Sequence, residues 1–476
     1  MKKTARKLLV WFLIGIVAIS CSGCITGTIY GKALEPTREI DQSQGIYFST
    51  LIIEAMQHDS LDEINQLGYH YGKDDAETFE AFWDTWKTLE PKYGMPKATN
   101  LAESYEYGTE LVFVFLVEME QGELYLSSMF TTDFDLVMLF LYETPEAALA
   151  DTVMPEGIQE IDVVIGEGTE HPLSGKLTLP ESAAAGDDLP AVVLVGTDGA
   201  SNMNLQNRSI YAYRDLAWGL AQQGIVSIRY DKRLLTYQDE FGSADTAANC
   251  QTVAWEYIDD AVLATEILRS QECVDPKRVY YAGHGQGAIV GPRADEAGGD
   301  YAGYIMLSTS PRPWYEVIYD QYINYGLVDQ EQGAIYYLVS KLDSEVDSLR
   351  DQDYLDMSEE DLVETYPLGR SNAFWKDYLS YDYVGALKKE AKPTLILQGS
   401  TSFQITEKVD FAAWQKEVGN ESWAKLKSYE GLSHFFTPSQ GVFAGHYKEY
   451  EMPARFSQDV IDDISSFILT GQIKGE

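Results

Sequence analysis

The sequence predicts an α/β fold, a doubly wound and mostly parallel sheet over residues 156–476, with helices on both faces. Short runs that are apolar at nearly every position alternate there with amphipathic helical segments, and such runs are typical of parallel strands buried on both faces. One of these runs leads into a Gly-x-x-x-Gly turn, Gly283 to Gly287, and then into a helical segment. A stretch without buried-strand runs, at about 311–385, interrupts the alternation and predicts a helical cap over the sheet.

The individual elements follow in chain order. Ile161–Val164 and Gly175–Leu179 predict a hairpin at the start. Five apolar runs predict the parallel strands: Ala191–Val195, Ile225–Tyr230, Val279–Ala282, Tyr304–Ser308 and Thr394–Gln398. Between the second and third of these runs, apolar residues recur at helical spacing from Ile258 to Leu268, which predicts a helix packed on the sheet.

A small α+β domain is predicted at residues 46–150. Ile46–Met56 and Glu77–Leu89 have the spacing of amphipathic helices. Three strand-like runs follow, at Leu111–Met119, Glu123–Phe130 and Phe134–Tyr142. Helices followed by a meander form an order similar to that of the small cystatin-like or NTF2-like modules that precede some bacterial hydrolases, and this resemblance implies a sheet wrapped against helices.

Residues 1–24 have the pattern of a lipoprotein signal peptide. A basic start precedes the apolar run Leu8–Ile19, which is too short to span a bilayer. Ser22-Gly23-Cys24 resembles the lipobox of bacterial lipoproteins, and the resemblance implies acylation of Cys24. Cys21 stands where that motif usually has Leu, and it is the second candidate. We therefore expect an exported chain with a tether at 25–45, lipid-anchored at the extracytoplasmic face of the cell membrane.

Composition limits the partners of the protein. A net charge of −40, from 75 acidic and 35 basic residues, argues against nucleic acid because phosphates repel such a surface. The sequence has no phosphate-binding glycine loop and no metal-ligand spacing of His and Cys, so neither a cofactor nor a metal is expected. Cys250 and Cys273 flank the predicted helix, and its length would hold them too far apart for a disulfide. Two free thiols are expected there.

The Gly283–Gly287 turn has the layout of a nucleophile elbow. Four further motifs accompany it in order: Arg214-Asp215-Leu216-Ala217-Trp218, Arg229-Tyr230-Asp231-Lys232-Arg233, Leu395-Ile396-Leu397-Gln398-Gly399 and Gly431-Leu432-Ser433-His434-Phe435-Phe436. Together these motifs resemble one branch of the bacterial esterase-like α/β-hydrolases over about residues 156–470. The resemblance implies an α/β-hydrolase fold with a carboxylesterase-like or acyl-hydrolase-like site, which uses Ser, an acid and His in that chain order.

The catalytic positions that the resemblance assigns are altered. Gly285 stands at the nucleophile position and has no side chain with which to attack a carbonyl. Ser402 stands at the position of the acid that would orient the histidine. Of the three positions, only His434 keeps the residue that the family would supply.

The oxyanion hole is altered as well. The resemblance places its donors at the backbone of Gln286 and at the loop after the third strand. That loop contains Thr197 and Asp198, where relatives have a His-Gly-Ser-Gly-like turn. If Asp198 faces the pocket, its negative charge is expected to oppose a developing oxyanion.

Two hypotheses follow for the function. The first is a pseudoenzyme, which keeps the hydrolase pocket as a binding surface for a small ester-like or peptide-like ligand, a sugar, or a partner protein. The second is an active carboxylic-ester or peptide hydrolase in which a displaced hydroxyl works with His434. The candidate hydroxyls are those of Ser308, Ser310, Ser433, Thr197 and Ser201.

Three further expectations concern the surroundings of the site. Glu407 or Asp410 could replace the lost acid by reaching back to His434. An aromatic group is expected near the cap entrance, where it could line a cleft for sugars or peptides: Tyr301, Tyr304, Trp314, Tyr315 and Tyr319. Gly285→Ser alone is expected not to restore esterase activity, because Ser402 cannot orient His434 as an acid would.

Overall fold

A computed structural model describes residues 42–71, 76–107, 110–131, 133–143, 153–237, 252–328, 342–351, 353–356, 368, 370–439, 445, 449–450 and 454–474. The predicted signal peptide, most of the predicted tether, Cys21, Cys24 and Cys250 lie outside these residues. Cys273 is a buried free thiol, as the sequence predicts. None of the helices in the described ranges is long and apolar enough to cross a membrane.

The described part of residues 42–143 consists of helices and one antiparallel sheet. The helices are α1 (Gln42–Gln57), α2 (Leu61–His70) and α3 (Ala76–Tyr93), and the strands are β1 (Pro96–Tyr107), β2 (Glu110–Met119), β3 (Glu123–Phe130) and β4 (Leu136–Glu143), which pair in sequence order. Phe113 and Phe115 of β2 pack against Phe48 and Ile52 of α1 in one core. The sequence did not predict α2 and β1, whose apolar residues are few and interrupted by polar ones, and the cystatin-like or NTF2-like resemblance stays a prediction.

The second half of the chain forms an eight-stranded sheet, in the order β14-β13-β12-β11-β7-β10-β6-β5. Its strands are β5 (Ile158–Ile165), β6 (Leu173–Pro180), β7 (Leu189–Val195), β10 (Val226–Tyr230), β11 (Val274–His284), β12 (Tyr304–Leu307), β13 (Thr394–Gly399) and β14 (Ala424–Tyr429); the short strands β8 (Gln206–Asn207) and β9 (Ile210–Tyr211) form a separate ribbon. The hairpin β5–β6 is antiparallel to its neighbours and the other strands are parallel. All five predicted parallel strands are confirmed, and β14 is an additional edge strand.

Helices cover both faces of this sheet, which confirms the doubly wound arrangement. The longer ones are α4 (Ala212–Gln222), α5 (Asp259–Arg269), α6 (Trp314–Val328), α7 (342–350), α8 (Asn372–Leu379), α9 (Tyr383–Glu390), α10 (Ala412–Val418) and α11 (Gln458–Thr470). Successive residues of a strand point to opposite faces. Val193 of β7 therefore belongs to the core that contains α5, while Val192 and Leu194 belong to the core that contains α4 and α11.

The described part of the predicted cap is helical and contains α6, α7, α8 and the start of α9. Ser371 caps α8 through its side-chain oxygen, which accepts the N–H of Phe374 at 3.0 Å. Trp375 and Phe374 of α8 are buried in the core that also holds Trp314 of α6. The cap therefore packs through aromatic side chains, and Ser371 fixes the point at which α8 begins.

One expectation about the cap is wrong for two of its five aromatic residues. Tyr301 precedes β12 and Tyr304 begins it, at the amino end of the strand. The Tyr301 hydroxyl lies 3.1 Å from the Thr265 hydroxyl, and the Tyr304 hydroxyl donates to Glu390. Both side chains are buried, so they are packing residues remote from the carboxyl edge of the sheet, where the elbow lies.

Candidate active site

Strand β11 runs directly into the elbow. It ends at His284, and Gly285 follows with φ 57° and ψ −125°. The N–H of Gly285 donates to the carbonyl oxygen of Leu307 at 2.9 Å. A positive φ costs a residue with a side chain on the order of 1–3 kcal/mol, and glycine avoids most of this strain. The structure thus has the strand–turn–helix geometry of a nucleophile elbow without the nucleophile.

The space that a nucleophile would occupy is taken by Thr197. A Cβ atom on Gly285 would lie 2.5 Å from Thr197 Oγ1 and 3.8 Å from the ring of Trp314. The first distance is much shorter than a van der Waals contact. A side chain at position 285 would therefore require Thr197 to move from its present position. Thr197 comes two residues after the end of β7, where the fold places its oxyanion loop.

His434 and Ser402 contact each other beside the elbow. Ser402 follows β13, His434 follows β14, and the distance from Ser402 Oγ to His434 Nδ1 is 3.1 Å. Ser402 Oγ also accepts the N–H of Ile405 at 3.2 Å. The structure therefore brings together the acid position and the histidine, as the resemblance implies, with a hydroxyl in place of the carboxylate. The expectation that Ser402 cannot orient His434 is therefore wrong, because its hydroxyl bonds the ring. What the hydroxyl lacks is the charge that would stabilise an imidazolium.

A second buried histidine packs against the first. The ring centroids of His284 and His434 are 4.5 Å apart, and His284 Nε2 lies 3.0 Å from the carbonyl oxygen of His434. Ser308 Oγ donates to the same carbonyl oxygen at 2.8 Å. Burial lowers the pKa of His284 to about 4. Burial and, secondly, the neighbouring His284 lower the pKa of His434 well below its ordinary value, which makes it a weak proton acceptor near neutral pH.

Asp198 does not bring an unbalanced negative charge to the site, and that expectation is wrong. Its carboxylate pairs with Arg370 of the cap. Arg370 also pairs with Glu256 at 2.5 Å, and Glu256 pairs with Lys232 at 2.6 Å. The four side chains are buried and carry two positive and two negative formal charges, so the cluster as a whole is neutral.

Gln286 follows the elbow and begins the next helix, which is where the resemblance implies a backbone oxyanion donor. Its buried side chain accepts the Tyr257 hydroxyl through Oε1 at 2.9 Å. The other donor position that the resemblance implies lies in the loop that contains Thr197. Gln286 therefore keeps its place after the elbow, and Thr197 Oγ1 lies where a side chain of residue 285 would begin.

Two of the other four hydroxyls proposed from the sequence are engaged away from His434. Ser310 Oγ donates to Asp410 at 2.7 Å, and Ser433 Oγ lies 2.7 Å from the Thr437 hydroxyl. Ser201 is buried, and its hydroxyl has no hydrogen-bond partner in the part of the chain that the structure describes. Thr197 is the one candidate among those residues whose hydroxyl lies at the nucleophile's place.

Neither candidate acid replaces the missing one, so that expectation is wrong too. Asp410 accepts Arg312 Nε at 3.0 Å and the N–H of Thr406 at 2.6 Å. Glu407 accepts the hydroxyl of Ser428. Over the described ranges, no group of three or more His, Cys, Asp or Glu side chains has the geometry of a metal site.

Sequence reasoning missed the roles of Arg370, Glu256 and Trp314. One local feature of the sequence singles out Arg370. It directly precedes a serine that can cap a helix, and it lies in an otherwise acidic segment. Lys232 lies in a motif already noted, Tyr230-Asp231-Lys232-Arg233, but its partner Glu256 is separated from it by 24 residues. Contacts of this kind depend on how the cap folds back over the sheet.

Esterases are among the known proteins to which this chain is similar. No protein-family model matches the chain. The chain is 28% identical over 363 residues to the esterase EstD of Thermotoga maritima, which covers 75% of this chain and 79% of EstD. Among solved structures, it is similar to Est1E from Butyrivibrio proteoclasticus, with 14% identity and a TM-score of 0.39 over 65% of this chain and 97% of Est1E. It is also similar to an esterase of Pyrobaculum calidifontis, with 14% identity and a TM-score of 0.37 over 68% of this chain and 90% of that one.

The similarity to EstD extends over three quarters of the chain. The mostly parallel sheet, the elbow between β11 and the following helix, and the histidine after the last strand are the features that the family places around its site. In sequence and in these features the chain is similar to the esterase-like α/β-hydrolases.

Proposed function

We propose that this chain is a non-catalytic member of its family, an exported and lipid-anchored protein whose hydrolase-fold domain binds a ligand or a partner protein. The observation that carries the proposal is the overlap between Thr197 Oγ1 and the place of a side chain at position 285. Acyl transfer by this family needs an attacking atom on the elbow. Here the elbow offers none, and a neighbouring side chain has filled the space.

The remaining residues support the same proposal. His434 is the only member of the triad left, and losing the nucleophile typically costs several orders of magnitude in rate. The histidine also lacks the carboxylate that would raise its basicity, and burial lowers its pKa further. A proton acceptor of this kind would contribute little even to a displaced hydroxyl.

The replacements fit their surroundings, which favours a retained structure over a damaged one. Gly285 adopts its positive φ without strain. Thr197 is held through its carbonyl oxygen by Lys232 Nζ at 2.7 Å. Ser402 makes hydrogen bonds both to His434 and to the backbone. Such an interior suits a protein that still needs this domain to fold and to bind.

The sequence supplies the proposed location and the range of ligands. Lipid attachment at Cys24, with Cys21 as the second candidate, would hold the protein at the extracytoplasmic face of the membrane. A small ester-like or peptide-like ligand fits a pocket derived from an esterase, and a sugar or a partner protein are the alternatives. Palmitate labelling of cells tests the anchor: Cys24→Ser should abolish the label and Cys21→Ser should keep it, and the reverse result would move the anchor to Cys21.

Turnover and active-site labelling test the loss of catalysis. The full chain, purified in detergent, is assayed with p-nitrophenyl acetate and butyrate and treated with a fluorophosphonate probe. We expect turnover no higher than that of His434→Ala and no labelled residue. Turnover that disappears in His434→Ala, together with a labelled serine or threonine, would overturn the proposal.

The second candidate function is hydrolysis by Thr197 as a displaced nucleophile. The favouring observation is the place of its hydroxyl over Gly285. Against it, the structure records no hydrogen bond between this hydroxyl and His434. Thr197→Val keeps the shape of the side chain and removes the hydroxyl, and Ser433→Ala is the matched control because that hydroxyl bonds Thr437. Activity lost in the first variant and kept in the second would establish this alternative.

A further inference from the structure

Charged side chains from other segments hold the oxyanion loop. Lys232, which follows β10, donates through Nζ to the carbonyl oxygen of Thr197 at 2.7 Å. Arg370, which belongs to the cap, pairs with the carboxylate of the next residue, Asp198. All four residues are buried, so these contacts are little weakened by solvent.

Glu256 completes the attachment of the loop. It accepts the backbone N–H of Gly199, the third consecutive loop residue with a charged partner. The same carboxylate pairs with Lys232 at 2.6 Å and with Arg370 at 2.5 Å. Burial raises the pKa of Glu256 and the charge of Lys232 opposes this shift. Glu256 therefore joins the two cations and the loop backbone into one cluster.

Arg370 connects this cluster to the cap. It directly precedes Ser371, the N-cap of α8, and its guanidinium lies 4.8 Å from the ring centroid of Phe374 in the same helix. Trp314, in the cap helix α6, lies 3.8 Å from the place that a Cβ on Gly285 would take. The cap therefore lies beside the elbow through Trp314 and contacts the oxyanion loop through Arg370.

We propose that Arg370 is a latch that fastens the cap to the oxyanion loop and keeps Thr197 over Gly285, so that the cap controls access to the site. The inference rests on the proposed function, because a site closed in this way is compatible with binding and not with rapid acyl transfer. Movement of the cap would take Arg370 away from both Asp198 and Glu256. The loop would then lose its attachment at Asp198 and keep those through Lys232 and Glu256, so it would leave the elbow more readily.

A cysteine introduced into the oxyanion loop reports how often the loop becomes accessible to a reagent in solution. The reporter is Thr197→Cys in a chain in which Cys21, Cys250 and Cys273 are replaced by alanine and Cys24 is kept for the proposed lipid. The reaction of the new thiol with Ellman's reagent gives the rate at which it becomes exposed. Arg370→Met keeps most of the side-chain length and removes the charge. We expect it to speed the reaction of the reporter at least about tenfold, because local opening controls the reactivity of a buried thiol.

Arg350→Met is the matched control. Arg350 is also a cap arginine that pairs with two carboxylates, Glu316 and Asp347, but its side chain is 45% exposed whereas that of Arg370 is 5% exposed. We expect no change in the reporter rate for this variant. Equal reporter rates in the Arg370→Met and Arg350→Met chains would overturn the proposal that Arg370 fastens the cap to the loop.

Hydrogen exchange gives a second readout in the chain that keeps Thr197. The amide of Gly199, which Glu256 protects, should exchange at least about tenfold faster in Arg370→Met, while the amides of β7 stay protected if the sheet is intact. If Arg370→Met does not fold, Arg370→Lys replaces it, because a lysine keeps the charge but cannot make the forked contact to both carboxylates. Protection of Gly199 equal to the wild type in the folded variant would count against the proposal.

The Arg370 latch and the non-catalytic assignment can be refuted independently of each other. Reporter rates and amide exchange do not depend on hydrolysis, so a negative result there leaves the non-catalytic assignment standing. Esterase turnover by the wild-type chain would overturn that assignment whatever the reporter shows.

Discussion

Ser402 Oγ and His434 Nδ1 lie 3.1 Å apart, at hydrogen-bond distance, in the place where esterases of this fold have a carboxylate. The contact keeps the imidazole oriented. It does not supply the negative charge that stabilises a protonated ring. A carboxylate normally both orients the histidine and raises its basicity. In this protein Ser402 provides only the orientation of His434.

Gly285→Ser alone should remain inactive. The new side chain would meet Thr197 Oγ1, and Ser402 would still give His434 no charge. The variant should also lose on the order of 1–3 kcal/mol of stability from strain at the positive φ, and Gly285→Ala should lose a similar amount. Turnover of p-nitrophenyl butyrate and thermal unfolding measure the two effects. Clear turnover by Gly285→Ser would mean that another acid serves His434.

Restoring activity should need three changes together, Gly285→Ser, Ser402→Asp and Thr197→Ala. The first supplies the nucleophile, the second the charge beside His434, and the third the space over the elbow. We expect turnover at least about a hundredfold above that of Gly285→Ser, since nucleophile, base and acid act as a unit. The double variant that keeps Thr197 is the control. If it is as active as the triple variant, Thr197 does not block the elbow.

The sequence predicted most strands of the larger sheet, because a parallel strand buried on both faces has to be apolar along its length. It did not predict β14, an edge strand in which Lys425 and Lys427 alternate with smaller residues and most positions are only half buried. Nor did it predict β1, whose sequence is largely polar. Edge strands can be polar because only one side of them needs a partner.

Lower pH should destabilise the protein through His284. Its pKa of about 4 in the fold lies below the ordinary value of about 6.5, so the unfolded chain binds its proton first. The contribution of His284 is therefore complete above about pH 6.5 and is lost as the pH falls toward about 4, by on the order of 3 kcal/mol.

His284→Gln tests this dependence, because glutamine can still donate to the carbonyl oxygen of His434. The free energy of unfolding of the variant should fall less than that of the wild type between about pH 7 and pH 4. Glu449, whose pKa burial raises to about 7, has the opposite effect over part of this range, but it is present in both proteins and cancels in the comparison. Parallel curves for the two proteins would contradict the prediction.

Arg229→Met should destabilise the fold strongly. Arg229 is buried and donates to Glu160 at 2.5 Å and to Thr178 at 2.6 Å. Removing one partner of a buried pair leaves the other charge unbalanced, which typically costs about 3–5 kcal/mol. Lys474→Met is the control, since its pair with Asp462 lies at the surface, and it should leave unfolding unchanged. Similar melting temperatures for the two variants would show that Arg229 is not needed for stability.

The sequence could locate the catalytic positions of the site but not the partner of Asp198. The motifs located Gly285, Ser402 and His434, because each position follows a recognisable strand at a short interval. The partner of Asp198 could not be located in this way. It is Arg370, more than 170 residues away, and no local pattern tells which arginine of a cap will reach the sheet.

Gly283 and Gly287, the two outer glycines of the elbow, are needed for packing of the backbone. A Cβ on Gly287 would lie 2.1 Å from the backbone oxygen of Gly196, and one on Gly283 would lie 2.3 Å from that of Gly287, so both residues are required by the close crossing of strand and helix. A genome survey that assigns hydrolases by this pair of glycines would include the present chain without considering Gly285. The spacing reports only that the backbone crosses there, and whether a protein can turn over substrate has to be decided from the residue between the glycines.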